Sequence, residues 1–242
     1  MSSRITWQVS DTAPVTVVRL RGPLDLGTMR PVHRVLDRAL AAQPDALVVD
    51  LEEVTVRDRL ALSVFAATAR RAAEWPAVPV VLCAPPPAAA RWLAESTTCR
   101  VVPVSRDCAE ATRVAGAAAA PRLQARLEPV AEACRRAREL VVDACTRWNL
   151  PEAAGPAAVV LSELVGNVVR HAGTPMQVTL TLRRPYLHLA VVDGSRAAAR
   201  PAGADLRAEG GRGLLLVREL AQRWGSVPAG QGKAVWAMVA GT

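Results

Sequence analysis

The chain has very little lysine, tyrosine or phenylalanine. Lys233 is the only lysine among 30 basic residues, and 242 residues include one Tyr and one Phe. The excess of 30 basic over 22 acidic residues is therefore an excess of arginine, which together with abundant Ala and Pro is typical of a GC-rich genome. The arginines are dispersed and have no interleaved aromatics. This charge predicts a solvated surface and no direct contact with nucleic acid.

Cysteine pairs with metal-site spacing are also missing. The five cysteines, which contain no CxxC pair, are Cys83, Cys99, Cys108, Cys134 and Cys145. An odd number without such a pair favours buried free thiols in a reducing cytosol.

Long apolar runs are absent as well. The N-terminal MSSRITWQVS has no continuous apolar stretch behind its single Arg, and no later run reaches membrane-spanning length without a charge. We expect a cytoplasmic, soluble protein that does not contact membranes. The hydrophobic share of 51% excludes a generally disordered chain, and 242 residues suffice for two modest domains.

The first half alternates strand and helix patterns. Strand patterns cover residues 15–22, 46–51, 79–84 and 101–105, and helix patterns cover 28–43, 59–75, 87–96 and a segment from Asp107 onward. This alternation predicts an α/β layer domain over residues 1–117.

The second half has a different order of elements. A small-residue segment with one Pro predicts a linker at 118–126. The patterns that follow are helices at 127–148 and 153–171, strands at 177–184 and 186–193, a Gly-rich loop at 194–211, a helix at 213–224 and a strand at 233–239. Helices on one face of a mostly antiparallel sheet predict an α+β domain over 127–242.

One predicted helix carries a polar stripe, within 161-LSELVGNVVRHAG-173. Glu163, Asn167 and His171 are each four residues apart and fall within about 80° of one another on a helix. Asn167 can offer an amide oxygen to Mg²⁺, and Glu163 can deprotonate a hydroxyl that attacks a phosphate. Such residues on a helix are usually only solvent-exposed surface, so the stripe needs further support.

Two other clusters point to the same chemistry. Asp193 ends a predicted strand and is followed by Gly194 and Ser195. The glycines of 210-GGRGLLLV-217 lead into a helix, whose N-terminal N–H groups favour anions such as phosphate. Each signal alone also fits an ordinary turn or a flexible loop.

In order and spacing, residues 127–240 resemble the anti-sigma-factor serine kinases, a branch of the GHKL nucleotide-binding superfamily with the Bergerat α/β sandwich fold. The resemblance rests on four ordered motifs: Ser162, Glu163, Leu164, Asn167, His171 and Ala172; Asp193 and Ser195; Gly210 to Leu214; and Trp224, Gly225, Gly232, Lys233 and Trp236.

The resemblance implies a role for each motif. Asn167 would bind the Mg²⁺ of Mg-ATP, Glu163 would be the general base, and Asp193 would recognise the adenine amino group. His171 is interpreted as a helix cap. The remaining nucleotide-binding candidates are Ser195 beside Asp193, Gly211, Arg212, Gly213 and Leu214 at the end of a mobile lid, and Lys233 as a phosphate partner.

The first domain resembles the STAS fold of anti-sigma-factor antagonists. Gly22, Leu24 and Asp25 match its Gly-x-Leu-Asp turn, and 50-DLEEVTVRDRLAL-62 matches the segment that carries the phosphorylated serine. Here Asp58 is followed by Arg59, Leu60 and Ala61, so the acceptor hydroxyl is missing. Ser63, one turn further on, is expected to face into the helix surface and is a weak substitute.

These expectations combine into one function. The chain is expected to be an anti-sigma-factor serine/threonine kinase of a partner-switching system, with ATP and Mg²⁺ as cofactors and a sigma factor and a separate STAS-type antagonist as partners. The resemblance also implies a possible homodimer through the GHKL domain. The alternative is a non-catalytic scaffold that binds partners in response to nucleotide. A histidine kinase lacks support because no long dimerisation helix pair with an acceptor His is present.

Overall fold

The computed structural model describes residues 4–12, 15–96, 102–117, 120–197, 211–230 and 232–241; the side chains of residues 11, 12, 211 and 212 are not part of that description. The chain divides into two compact units, Met1–Ala119 and Ala120–Thr242. Each unit is described by itself.

In the part of the chain that the structure describes, the first unit is a five-stranded sheet with four helices. Its elements are β1 (Thr6–Thr12), β2 (Val15–Leu24), α1 (Met29–Ala41), β3 (Ala46–Val56), a 3₁₀ turn (Arg59–Leu62), α2 (Ser63–Glu74), β4 (Val80–Cys83), α3 (Pro87–Glu95), β5 (Val104–Ser105) and α4 (Cys108–Ala117). The strand order is β1-β2-β3-β4-β5; β1 and β2 are antiparallel and the other pairs are parallel.

Strand β3 is buried on both faces, as a strand between two helix layers must be. Leu47 and Val49 pack with helices α1, α2 and α3, while Ala46 and Val48 pack with α4 on the opposite face. The predicted α/β layer architecture is confirmed. Strand β1 was not predicted, although Ile5, Trp7 and Val9 alternate with polar residues.

The predicted free thiols are wrong for one pair. Cys83 ends β4, Cys108 begins α4, and the two sulfurs form a disulfide across a sequence separation of 25 residues. The sequence spacing carries no signal of this pairing, because only the packing of α4 on the sheet brings the two residues together. Cys134 and Cys145 are free, and Cys99 lies outside the described residues.

Over its described residues, the second unit is a five-stranded antiparallel sheet with three helices on one face. Its elements are β6 (Arg122–Leu127), α5 (Ala133–Trp148), α6 (Pro151–Asn167), a π-helical turn (Val168–Ala172), β7 (Met176–Arg183), β8 (Tyr186–Asp193), α7 (Gly211–Leu220), β9 (Arg223–Ala229) and β10 (Gly232–Ala240). The strand order is β6-β7-β8-β10-β9.

Three predicted boundaries differ from the observed elements. Most of the predicted linker at 118–126 belongs to β6, whose Leu123 and Leu127 face the helices and pair with β7. Helix α5 therefore begins at Ala133 and not at residue 127. Helix α7 ends at Leu220, and Trp224 lies in β9, which pairs with β10. The local pattern of β9 is mixed, whereas β6 is short but alternates polar and apolar residues.

Helix α6 occupies the centre of this unit. Its Val160, Leu161, Leu164 and Val165 are at most 1% exposed and pack against the sheet and α5. The helical segment Pro151–Ala172 is long and apolar enough to cross a membrane by length and composition alone. The same properties are expected of a core helix, and 44% of its most apolar window is buried. The core position of α6 holds its polar stripe on a rigid element.

Candidate functional site

The C-terminal half of α6 presents the polar stripe. Leu164 and Val165 face the core, while Glu163 and Asn167 are only partly buried on the adjoining face. Beyond Asn167 the helix widens into the π-helical turn, which ends when the Gly173 N–H donates to the Val168 carbonyl at 2.8 Å. Gly173 adopts a φ of 61°, a conformation that favours glycine.

A cation that the sequence analysis missed lies on this stripe. Arg170 Nη2 donates to Asn167 Oδ1 at 3.1 Å and lies 3.6 Å from Glu163 Oε2. His171, the predicted third member of the stripe, is exposed in the π-helical turn. Seven residues after Glu163, Arg170 lies about 20° from it around a helix, closer than His171. A four-residue spacing rule therefore selected the wrong neighbour.

The N-terminus of α7 lies against Glu163. A Cβ added to Gly213 would overlap the Glu163 carboxylate, so the backbone of α7 directly adjoins this side chain, which a larger residue at 213 would displace. Leu214 and Val217 are 8% and 0% exposed and anchor α7 in the core beside α6. Two of the predicted clusters are thereby brought together: the carboxylate of α6 and the glycines that open α7. Gly211 and Arg212 belong to α7 by backbone, and residues 198–210 of the predicted lid lie outside the described residues.

The third cluster is a buried ion pair at the end of the sheet. Asp193 ends β8 and pairs in register with Lys233 of β10. Lys233 Nζ donates to Asp193 Oδ1 at 3.0 Å and lies 2.9 Å from Oδ2. The side chains are 13% and 1% exposed, respectively. Lys233, predicted as a phosphate partner, is thus placed beside the predicted adenine-binding carboxylate.

Backbone contacts hold this carboxylate in place. The Ser195 N–H donates to Asp193 Oδ1 at 2.7 Å, and the Gly194 N–H donates to Thr174 Oγ1 at 3.0 Å, which ties the end of β8 to the loop that follows α6. A Cβ on Gly232 would overlap the Asp193 carbonyl oxygen, so β10 approaches β8 more closely than a side chain permits. The Ser195 N–H therefore holds the carboxylate itself, while Thr174 and Gly232 hold the backbone around it.

One oxygen of this buried carboxylate keeps acceptor capacity beyond its ion pair. Asp193 Oδ2 lies 2.9 Å from Lys233 Nζ, and no described residue donates a well-aligned hydrogen bond to it. A carboxylate oxygen has two lone pairs, so Oδ2 can accept a further hydrogen bond. Asp193 also lines a cavity of about 390 Å³ together with Arg126, Met176 and Gln177. This acceptor capacity fits an N–H donor such as the exocyclic amino group of adenine.

The segment aligned with the STAS phosphorylation site forms the 3₁₀ turn before α2. The Leu60 N–H donates to Asp58 Oδ1 at 2.8 Å, and the Leu60 side chain is 63% exposed. Ser63 is exposed, although the sequence analysis expected it to face into the helix surface. Its Oγ donates to the Leu60 carbonyl at 2.6 Å, so the hydroxyl proton is engaged by the backbone.

Family comparisons agree with this division of the chain. The STAS domain model matches residues 6–111, and the model described as histidine kinase-like ATPase domain matches residues 123–239. The comparison with curated proteins returned no match. The two domain types support a partner-switching regulator, and the ATPase-type domain implies nucleotide binding.

Several solved structures resemble parts of the chain. An anti-sigma factor antagonist from Mycobacterium paratuberculosis is 24% identical, with 48% of this chain and 97% of that chain covered and a TM-score of 0.43. The Bacillus antagonist SpoIIAA in its unphosphorylated form is 18% identical, with 46% and 97% covered and a TM-score of 0.39. The RsbU and RsbW domains of a Mycobacterium tuberculosis protein are 13% identical, with 55% and 40% covered and a TM-score of 0.39.

Proposed function

We propose that this chain, which joins a STAS domain to a histidine kinase-like ATPase domain, is an ATP-dependent protein serine/threonine kinase of a partner-switching system. Its substrate would be a serine of a separate STAS-type antagonist, and its regulatory target a sigma factor. The observation that carries the proposal is the approach of the α7 N-terminus to Glu163, one helical turn before Asn167.

The nucleotide would contact two places, the end of β8 at Asp193 and the N-terminus of α7. Asp193 Oδ2, which is paired with Lys233, would accept a further hydrogen bond from the adenine amino group, and Lys233 beside it could donate to a ring nitrogen of the base. The N–H groups that open α7 suit the phosphates, because the positive end of a helix dipole favours anions. Asn167 would hold Mg²⁺ through its amide oxygen, and Mg²⁺ would neutralise charge on the phosphates.

In phosphoryl transfer the protein would position the reactants and move a proton, without forming a covalent bond to the phosphoryl group. Glu163 would accept the proton of the attacking serine hydroxyl while the serine oxygen forms a bond to the γ-phosphorus. The bond from the γ-phosphorus to the bridging oxygen breaks, and ADP leaves. The fused STAS unit would serve as a docking or regulatory domain, because Arg59 and Leu60 stand where the family has an acceptor segment.

The full chain can test the two roles separately. Mg-ATP binding is measured by calorimetry and by the unfolding temperature, and transfer of labelled γ-phosphate is measured to a purified STAS-type antagonist that has an acceptor serine. At about one hundred times Kd, ligand should add about 2.7 kcal/mol to the free energy of unfolding, a shift of several degrees. We expect Asn167→Ala to abolish binding, and Glu163→Gln to bind normally but lose transfer.

A matched control is available on the same helix. Glu152 is an exposed acidic residue in the first turn of α6, so Glu152→Gln should leave both readouts unchanged. Transfer that persists in Glu163→Gln would disprove the assignment of Glu163 as the base. Absence of any Mg-ATP binding in the unmodified chain would disprove the kinase proposal as a whole.

A scaffold is the second candidate, because the first unit keeps the STAS fold but has Arg59 and Leu60 at the acceptor segment. In that case Mg-ATP would change the affinity of the chain for a STAS-type antagonist without labelling it. Nucleotide-dependent binding by calorimetry, combined with no incorporation of label in the unmodified chain, would favour the scaffold over the kinase.

A further inference from the structure

The Arg170 guanidinium lies between the two side chains that the proposed function places in phosphoryl transfer. Nη2 is 3.1 Å from Asn167 Oδ1 and 3.6 Å from Glu163 Oε2. The neighbouring Nη1 would be 3.0 Å from a Cβ at residue 166, so the guanidinium lies flat over Gly166. The π-helical turn begins at Val168 and contains Arg170.

We propose that Arg170 is an internal competitor of Mg²⁺: in the nucleotide-free chain its guanidinium occupies the position next to Asn167 Oδ1 that the metal ion must take. This inference rests on the proposed function and extends it to the metal requirement of the same site. Arg170 is a positioning residue, because it acts through Asn167 and Glu163 and not on a substrate.

The competition follows from charge and coordination. Mg²⁺ requires near-ideal octahedral geometry at short metal–oxygen distances, which leaves no room for a guanidinium donating to the same amide oxygen. Two cations at one oxygen also repel each other strongly where solvent is partly excluded. Arg170 and Mg²⁺ therefore cannot engage Asn167 together, and binding of the metal must release the arginine.

The same contact restrains the proposed base. Arg170 Nη2 lies 3.6 Å from Glu163 Oε2, so one guanidinium stands beside both the proposed metal ligand and the proposed base. Release of Arg170 by the metal would free Asn167 and Glu163 in one step.

Gly166 offers an independent way to disturb the contact. An alanine there would place its Cβ 3.0 Å from Arg170 Nη1 and 3.4 Å from Cζ. The end of a flexible side chain can move away, and Ala is a better helix former than Gly, so Gly166→Ala should dislodge Arg170 without harming α6. We therefore expect substitutions at Gly166 and at Arg170 to favour Mg²⁺ binding in the same way.

The test measures the Mg²⁺ concentration that gives half-maximal binding of a fluorescent ADP analogue to the full chain. ADP is used so that turnover does not interfere. We expect Arg170→Gln to lower the Mg²⁺ midpoint about five- to tenfold, Gly166→Ala to lower it in the same direction, and Arg170→Lys to fall between. Arg147→Gln on α5, which removes an exposed ion pair with Asp143, should leave the midpoint unchanged.

Other outcomes would overturn the inference. An unchanged or higher Mg²⁺ midpoint in Arg170→Gln would refute competition. Weaker nucleotide affinity at saturating Mg²⁺ with the same midpoint would show that Arg170 contacts the phosphates instead. If the unmodified chain bound no nucleotide at any Mg²⁺ concentration, both the proposed function and this inference would be wrong. Nucleotide binding with an unchanged midpoint in Arg170→Gln would instead refute the inference on Arg170 alone.

Discussion

Removal of the Lys233 ammonium should destabilise the second unit strongly. In Lys233→Met the side chain keeps its apolar length, while the Asp193 carboxylate, whose side chain is 1% exposed, loses its cation. Breaking a buried pair from one side costs about 3–5 kcal/mol, because a buried charge is left uncompensated. The Ser195 N–H still donates to Oδ1, so we expect the lower end of that range, about 3 kcal/mol.

The double substitution separates this explanation from simple loss of packing. Lys233→Met with Asp193→Asn removes both charges, and replacing a buried ion pair by neutral groups is often nearly neutral. We expect the double variant to lie within about 1 kcal/mol of the unmodified chain. Arg147→Met is the exposed control: its pair with Asp143 is 66% and 43% exposed and should contribute under about 1 kcal/mol.

Hydrogen exchange of peptides from β8 and β10, followed through denaturant unfolding of the full chain, is the suitable measurement, since it reads the second unit alone in a two-unit protein. A loss below about 1 kcal/mol in Lys233→Met would contradict the stated cost of an unpaired buried charge. A double variant as unstable as the single one would show that the aliphatic stem of Lys233 and not its charge carries the effect.

Three further predictions concern packing, covalent linkage and pH. Gly232→Ala should destabilise by about 2–3 kcal/mol through backbone overlap, whereas Gly155→Ala, with nothing within 4 Å of its Cβ, should stabilise α6 by about 0.5–1 kcal/mol; thermal unfolding checks both. Replacing Cys83 and Cys108 by Ala should lower the free energy of unfolding by about 3.5 kcal/mol, because the unfolded chain regains the entropy of the open loop. Added reductant should not change the stability of this double variant further. Burial raises the pKa of the Cys145 thiol, because the charged thiolate is disfavoured in the core. The thiol should therefore stabilise the folded chain below about pH 8.5, and this stabilisation should be lost as the pH rises above that value. Between pH 8 and pH 10, the free energy of unfolding of Cys145→Ala should fall less than that of the unmodified chain.

Much of the candidate site could be predicted from local sequence. Glu163 and Asn167 share a helix face by spacing alone, and a Gly-rich segment before an apolar helix predicts an exposed helix N-terminus. Asp193 follows an alternating run that ends in a turn, so its position at a strand end was also readable. These features depend on residues close together in the chain, where backbone geometry leaves few alternatives.

Other features were missed. Arg170 was overlooked because the stripe was built on a spacing of four residues, although seven residues along a helix return to within about 20° of the same face. Strand β6 was assigned to a linker although its six residues alternate polar and apolar, and its pairing with β7 places it in the sheet. The Cys83–Cys108 disulfide joins two elements that approach only after α4 packs on the sheet.

By itself, the sequence determined the two domain types, the helix that carries the polar stripe and the residue types available for nucleotide chemistry. Only the tertiary structure decided that Lys233 stands beside Asp193, across 40 residues of sequence, whereas the contact of Arg170 with Glu163 follows from helix periodicity. The physical reason is one of range. Periodicity and turn chemistry act over a few residues, whereas strand register, helix packing and the shared burial of charged groups join parts of the chain whose separation in sequence carries no information about their contact.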